Sequence, residues 1–236
     1  MVAEKVAIVI PALNEEAAIL QLLAELPQDF AQWVIVVDNG STDATATVAQ
    51  KSGAIVATEP MRGYGRACLK GFNTACSLGA EIVIFMDGDG SDDPTDLPMM
   101  LRPIGEGRAD FVIGSRVSEL AERGAVPAQA RLGNWLVSRM ILLLYGVRLH
   151  DIGSFRVVRC SLLETIDMRE MTYGWPVEML VKAAQAHYRI LELPIHYRHR
   201  SHGCSKVAGT MSGSIKAAYY MLSTTLRYTG ARRTHA

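Results

Sequence analysis

The sequence predicts an α/β protein with a mostly parallel, Rossmann-like sheet carrying helices on both faces. Three observations predict it. Short β-branched runs alternate with segments of helical apolar spacing from Lys5 to Ser115, the pattern of a sheet built by crossover connections. The runs are apolar throughout, without a polar alternate, as strands covered on both faces must be. Three of them stop abruptly at a polar residue or a proline, at Pro11, Asp38 and Asp87.

The elements follow in order. Lys5 to Ile10 is a buried strand ending at Pro11. Asn14 to Leu26 places Ile19, Leu22, Leu23 and Leu26 on one helical face, after an Asn cap and acids in the first turn. Trp33 to Val37 is a second strand. Asn39-Gly40-Ser41 is a turn, and Ser41-Thr42-Asp43 caps a helix over Ala44 to Ser52. Ala54 to Thr58 is a third strand, Gly63 to Leu78 a glycine-led helix, and Glu81 to Met86 a fourth strand. Leu97 to Gly107 reads as a helix, Asp110 to Ser115 as a fifth strand, and residues 118–130 as a mobile loop. Arg131 to Gly146 is an amphipathic helix, Asp151 to Arg159 a strand or turn, and Thr172 to Ala186 a helix begun near Pro176. Tyr188 to Arg198 is a further strand, His199 to Gly209 a polar loop, and Lys216 to Arg227 a closing helix. Parallel sheets bind ligands beyond the carboxyl ends of their strands. Asp38 and Asp87 both fall there, which predicts one crevice shared by two carboxylates.

Composition narrows the class. The chain has 236 residues, 49% of them hydrophobic, enough for one substantial core. Its 24 basic and 24 acidic residues cancel, so nothing draws it globally to nucleic acid. Acids gather at 87–96 and bases from Arg189 onward. Cys68, Cys76, Cys160 and Cys204 form no CxxC pair; free thiols in a reducing cytoplasm are expected, with a zinc site or disulfide as the alternative. No basic region precedes the first strand, so no signal peptide is expected. The longest apolar run, Trp135 to Val147, is broken by Ser138 and Arg139 and falls short of the ~20 residues of a bilayer span. A cytoplasmic protein is expected, with any membrane contact peripheral, on the cytoplasmic face. Leu136, Met140, Leu143, Leu144 and Val147 form an apolar stripe that suits either an interfacial helix or a packed core or dimer helix.

The strongest chemical signal is Asp87-Gly88-Asp89-Gly90-Ser91-Asp92-Asp93-Pro94, directly after the strand IVIFM. Two carboxylates one residue apart present hard oxygens to Mg2+ or Mn2+, and Gly88 lets backbone approach a diphosphate closely. The alternative is an acidic turn capping a helix at Pro94. Pro11-Ala12-Leu13-Asn14-Glu15-Glu16 and Asp38-Asn39-Gly40-Ser41-Thr42-Asp43 each suit either nucleoside contact or helix capping. Arg200 and Lys206 lie six apart on the late loop. Such cations lower the cost of charge accumulating on a leaving diphosphate; a solvated basic surface is the plain reading.

Together VIPALNEE, VVDNGSTD, RGYGRACLKG, DGDGSDDP, IGSR, DIGSFRVVR, GWPVEML and RHRSHGCSK resemble, in the family's order, the family 2 glycosyltransferases of GT-A fold. The likeness is greatest to the dolichyl- and polyprenyl-phosphate mannose or glucose synthase group. The resemblance implies that Pro11, Leu13, Glu15, Val36 and Asp38 line the nucleoside site. Leu13 stands where the group has tyrosine. Asp87 and Asp89 would hold the metal, with Ser91 where the group often has Gln. Arg116 would meet a donor or acceptor phosphate, and Arg200 and Lys206 would close over the diphosphate. Asp151, Ser154 and Arg156 match a DxxSGFR-like segment, although Gly153-Ser154 reverses its Ser-Gly order. Arg131, Ser154 and Arg156 would bind the acceptor; Arg131 suits a surface charge equally well.

The implied reaction is inverting hexosyl transfer, dependent on Mg2+ or Mn2+, from a donor of GDP-mannose or UDP-glucose type to a polyprenyl phosphate. A hydroxyl acceptor would need a base, for which Asp87, Asp151 and Glu178 are candidates; Glu178 suits a structural acid as well. The alternatives are transfer to a soluble, non-phosphate acceptor and a non-catalytic nucleotide-sugar-binding module. A nucleotidyltransferase would carry a glycine-rich triphosphate loop after the first strand, and VIPALNEE carries none. Residues 1–210 are expected to form the catalytic domain, with a helix and basic tail at 211–236 packed on it or interfacial. The sequence also allows a homo-oligomer. His196, His199 and His202 read as a solvated loop.

Overall fold

The computed structural model describes residues 4–201 and 211–229; Lys206, His202, Cys204, Arg232 and Arg233 lie outside the described residues. Among the described residues, seven strands form one sheet: β1 Val6–Ala12, β2 Trp33–Asp38, β3 Ile55–Thr58, β4 Ile82–Phe85, β5 Phe111–Ser115, β6 Arg156–Arg159 and β7 Ile190–Pro194. Among the described residues eight α-helices accompany them: α1 Glu16–Glu25, α2 Thr45–Lys51, α3 Tyr64–Ser77, α4 Leu97–Gly105, α5 Ala128–Tyr145, α6 Cys160–Ile166, α7 Trp175–Gln185 and α8 Met211–Arg227. The strand order is β3-β2-β1-β4-β6-β5-β7. All pairings are parallel except those of β6, which runs antiparallel to β4 and β5.

The apolar runs are buried as their composition requires. One side chain set (Val9, Val37, Phe85, Phe111, Val158) packs with α3, α5, α6 and α7. The alternate set (Ile8, Ile10, Val36, Ile84, Val112, Val157) packs with α1, α2 and α4. Full burial of each such side chain contributes about 1.5–3 kcal/mol. Gly71 shows how closely α3 approaches the sheet: a Cβ there would lie 2.2 Å from Val9 Cγ1.

Several expectations are corrected. The segment read as strand or turn is both, irregular over 151–155 and strand β6 from Arg156. Because β6 is reversed, its first residues and not its last lie at the carboxyl lip; Arg156 pairs with Phe85, just before Asp87. Gly153 passes so near β5 that a Cβ would be 2.1 Å from the Gly114 carbonyl oxygen, so the glycine must precede Ser154 in this chain. The loop read as mobile is tied down: Ala121 bridges to Tyr197, the Glu122 amide donates to the Tyr197 carbonyl at 2.8 Å, and the helix starts at Ala128. Helix α6 had no sequence reading. Its buried residues Cys160, Leu162, Leu163 and Ile166 leave it too short for a clear period. Helix α8 packs against α5 and α7.

Candidate active site

The ends of β1, β2 and β4, the start of β6 and the segment 196–201 meet at one lip of the sheet. The central arrangement is an arginine between two acidic motifs. Arg200 Nη2 lies 2.6 Å from Asp89 Oδ2, and its Nη1 lies 3.4 Å from Glu15 Oε1. Burial alone would lower the Arg200 pKa, but the charges of Asp89, Glu15 and Asp87 outweigh it and the pKa rises. One guanidinium therefore feels the acid after β1 and both acids after β4.

Backbone pairing places it there. Segment 196–201 runs antiparallel to the acidic loop: Asp92 bridges to Tyr197, and the Arg198 amide donates to the Ser91 carbonyl at 2.9 Å. Gly90 has φ +74°, and a Cβ on it would stand 2.6 Å from Ser201 Oγ. Glycine thus serves both the turn and the close passage of the late segment.

The two acids are held differently. Asp89 Oδ1 accepts the Ser91 amide at 2.9 Å and the Ser91 hydroxyl. Ser91, expected as a metal ligand, is itself fully buried, and its hydroxyl and amide are engaged with Asp89, so it orients that carboxylate. Asp87 Oδ1 accepts the Tyr64 hydroxyl at 3.3 Å, and the Asp87 amide donates to Asp92 Oδ2 at 3.1 Å. Burial, and then the Asp89 charge, raise the Asp87 pKa against the opposing effects of Ser154, Arg116 and Tyr64. Burial and Asp87 likewise push the fully buried Asp92 well above the carboxylate range.

This crowded negative charge, with only oxygen donors, fits a divalent cation of the Mg2+ or Mn2+ kind. No group of three or more His, Cys, Asp or Glu able to hold a metal occurs among the described residues. Asp87 and Asp89 would supply oxygen ligands and leave the cation's other positions to ligand or water oxygens.

On the β1–β2 side, Pro11 and Leu13 are half-buried, and the Glu15 amide donates to Thr45 Oγ1 at 2.9 Å. Asp38 Oδ1 accepts the Ser41 amide at 3.0 Å. Val36 does not line the lip; it is fully buried in the core beneath α1 and α2. Asn39, read from sequence as part of a turn, bonds the carbonyls of Glu59 and Met61 and the amide of Gly63 at 2.8–2.9 Å, and so fixes the loop that leads into α3. Gly63 and Gly65 let that helix start abut residues 170–171, since a Cβ on either would lie within 2.4 Å of their carbonyl oxygens.

On the other side, Arg116 is committed to a carboxylate. Its Nε and Nη2 reach Asp151 at 2.7 and 3.0 Å, and Asn134 Nδ2 adds a bond of 2.6 Å. Burial would raise the Asp151 pKa, but Arg116 outweighs it and holds the carboxyl below its usual range. Arg116 also lies 5.4 Å from the centroid of the Tyr197 ring. Asp151 is thereby spent on structure and is a poor base. So is Glu178, fully buried, which accepts from Lys182, Tyr228 and the amides of Arg169 and Glu170.

Ser154 lies close enough to Asp87 to lower its pKa. Arg156, expected at the acceptor, is held by backbone. It is 2% exposed, bonds the carbonyls of Gly153 and Pro176 at 2.7 and 2.6 Å, and burial pulls its pKa down to about 10. Arg131 is exposed at the rim of a cavity of about 350 Å³ that Arg116, Glu119, Glu122 and Arg123 also line.

His196 pairs with Asp96 at 2.9 Å and His199 with the Arg123 carbonyl at 3.1 Å. Cys68, Cys76 and Cys160 are free thiols. Tyr64, Asp92 and Tyr197 are the contributors that sequence reasoning passed over. Tyr64 and Asp92 lay inside quoted motifs, but only the folded chain shows which neighbour each one holds.

Comparison with known proteins adds the following. The model of a family described as "Glycosyl transferase family 2" matches residues 7–167. An uncharacterized glycosyltransferase of Mycobacterium bovis is 39% identical over 217 residues, covering 92% of this chain and 96% of its own. The undecaprenyl-phosphate mannosyltransferase of Micrococcus luteus is 30% identical over 220 residues, covering 89% and 90%. The fold matches the crystal structure of glucosyl-3-phosphoglycerate synthase from Mycobacterium tuberculosis in complex with Mn2+, uridine diphosphate and glucosyl-3-phosphoglycerate. The TM-score is 0.73 at 21% identity, covering 97% of this chain and 81% of that one.

Proposed function

The chain belongs to glycosyl transferase family 2 and is a glycosyltransferase, and from that premise we propose that it moves a hexose from a nucleoside diphosphate sugar to a polyprenyl phosphate, with inversion and with Mg2+ or Mn2+. The observation that carries the reading is Arg200 in contact with Asp89 and beside Glu15. It supports a site where an anionic diphosphate is met by a cationic side chain and a metal-binding acid pair together. Mn2+ and uridine diphosphate accompany the structural neighbour, and a polyprenyl phosphate is named for the Micrococcus relative; both support this assignment.

In this reading Asp87 and Asp89 hold the cation. When bound, the cation would offset the negative charge that grows on the leaving diphosphate. Ser91 and Tyr64 keep the two carboxylates oriented. Arg200 exchanges its acid partners for the diphosphate, with Lys206 assigned beside it from the sequence. Pro11, Leu13, Glu15 and Asp38 receive the nucleoside, and Gly88 gives the donor close access to backbone. Arg131 and the Arg116 wall of the cavity receive the acceptor.

The acceptor class follows from what the acids are doing. Asp151 and Glu178 are saturated by structural bonds, and Asp87 is assigned to the cation. None of these three candidate bases is then left to deprotonate a hydroxyl, whereas a phosphate monoester is already anionic near neutral pH and needs no strong base. Residues 1–210 carry this chemistry, and the helix beyond them contributes to the body and to a lipid-facing side. No helix among the described residues is long and apolar enough to cross a membrane.

The test is a panel of nucleoside diphosphate sugars, with and without polyprenyl phosphate, in Mn2+ and in Mg2+. Turnover with one donor, requiring the lipid phosphate, is expected. Equal turnover onto a soluble hydroxyl acceptor would overturn the acceptor assignment. Donor binding without any turnover would overturn catalysis.

A further inference from the structure

Helix α5 turns an apolar face outward. Its core side is Asn134, Val137, Ser138, Ile141 and Tyr145. On the opposite side Leu132, Trp135, Leu136 and Leu143 are 67%, 54%, 43% and 83% exposed. Their spacing keeps them on one stripe of the helix. Arg131 and Arg139 are exposed along it, Arg148 is exposed just beyond the end of the helix, and the Arg139 guanidinium lies 5.8 Å from the centroid of the Trp135 ring. The stripe the sequence suggested is thus divided: Met140 and Leu144 are half-buried, while Leu136 and Leu143 face outward.

Charge is segregated around this face. The chain is neutral overall, yet between Glu122 and Asp151 it has four arginines and no acid, and after Glu192 it has no acid at all. The neighbour of α5, helix α8, comes from that acid-free stretch. Tyr145 on α5 donates to the Thr225 carbonyl of α8 at 2.7 Å, and Tyr219 and Leu226 of α8 are 68% and 55% exposed.

We propose that the outer face of α5, Leu132, Trp135, Leu136 and Leu143 with their flanking arginines, docks on a lipid surface bearing anionic headgroups. The proposal rests on the lipid-phosphate reading above and deepens it. Leucines and a tryptophan enter the headgroup boundary while arginines stay at the phosphate level, and anionic lipid attracts each cation near its surface. A second copy of this chain is a poorer occupant. A two-fold interface sets a patch against itself, and neither α5 nor α8 offers an acid to meet the facing arginines. The same helix carries Arg131 to the rim of the 350 Å³ cavity, so docking brings that rim toward the lipid surface.

The test is co-sedimentation of the full chain with phosphatidylcholine vesicles, with and without phosphatidylglycerol, alongside an L136E/L143E variant. Both side chains are exposed, so the fold is expected to survive, as an unchanged Tm would report. Expected are binding to the anionic vesicles that weakens at high salt, a loss of at least tenfold in the variant, and a monomer in both cases by size exclusion. Wild-type protein left in the supernatant, equal binding by the variant, or a dimer that the variant dissociates would each overturn the proposal. Turnover of a short, water-soluble prenyl phosphate without vesicles separates this from the catalytic reading. It should be equal in both proteins, and its absence would strike that reading and not the docking face.

Discussion

At the scale of single residues, the site depends on side chains that hold the acids. Ser91 is the clearest, since its hydroxyl and amide both serve Asp89 Oδ1. Loss of a partner that orients a metal ligand typically costs 10–100-fold. Ser91→Ala is therefore expected to lower kcat/KM by about tenfold or more with little change in Tm, and to raise the Mn2+ concentration for half activity; steady-state kinetics across a metal titration check this. Arg116 makes the opposite prediction. Its bidentate pair with Asp151 is nearly dry, and breaking such a pair costs about 3–5 kcal/mol. Arg116→Ala should unfold at markedly lower denaturant, a loss of fold more than of metal affinity. The first of these was half legible in the sequence: the position of Ser91 was visible, but its burial behind Asp89 was not. Arg116 and Arg156 show the commoner difficulty. A motif tells which arginines are present, while burial and partner decide whether they meet substrate.

At the scale of elements, two contacts set how the site is framed. Helix α3 touches the sheet through Gly71, and adding a methyl group 2.2 Å from Val9 Cγ1 forces a shift worth about 1–3 kcal/mol. Gly71→Ala should lower stability by that amount in chemical denaturation. The residue just after α8, Tyr228, latches that helix to α7 by donating its hydroxyl to Glu178, which also pairs with Lys182 one turn along α7 at 2.8 Å. Burial would raise the Glu178 pKa, but these partners and two amides hold it below 4.5. A carboxyl with a depressed folded pKa contributes stability that is fully present above its unfolded pKa of about 4.5 and lost as pH falls through the folded value. Wild-type stability should therefore fall below about pH 4.5 more steeply than that of Glu178→Gln, as acid-unfolding curves of the two would show. The strands and the long helices were legible because their apolar periods are unbroken. The reversal of β6 was not, because four residues of Arg-Val-Val-Arg read the same in either direction.

At the scale of the whole molecule, the order of elements explains why distant motifs meet. β1 lies between β2 and β4, so the segments after those three strands emerge side by side, and the late segment returns along the acidic loop through the Asp92–Tyr197 bridge. Open α/β sheets place ligands at this lip, which is why the carboxyl-end rule located the acids from sequence. The rule says nothing of Tyr197, whose neighbours come from residues 91, 92, 116 and 121, or of charge segregation onto α5 and α8, since composition averages it to zero.

The central claim is that Asp87 and Asp89 hold a cation against the diphosphate. Calorimetric titration of uridine and guanosine diphosphate into the chain, in Mn2+ and again after EDTA and dialysis, tests it most directly. One of the two nucleotides should bind at least tenfold more tightly with Mn2+, a gain of about 1.4 kcal/mol, and Asp89→Ala should erase that gain. Equal affinity after metal removal, or an undiminished Mn2+ effect in Asp89→Ala, would contradict the account.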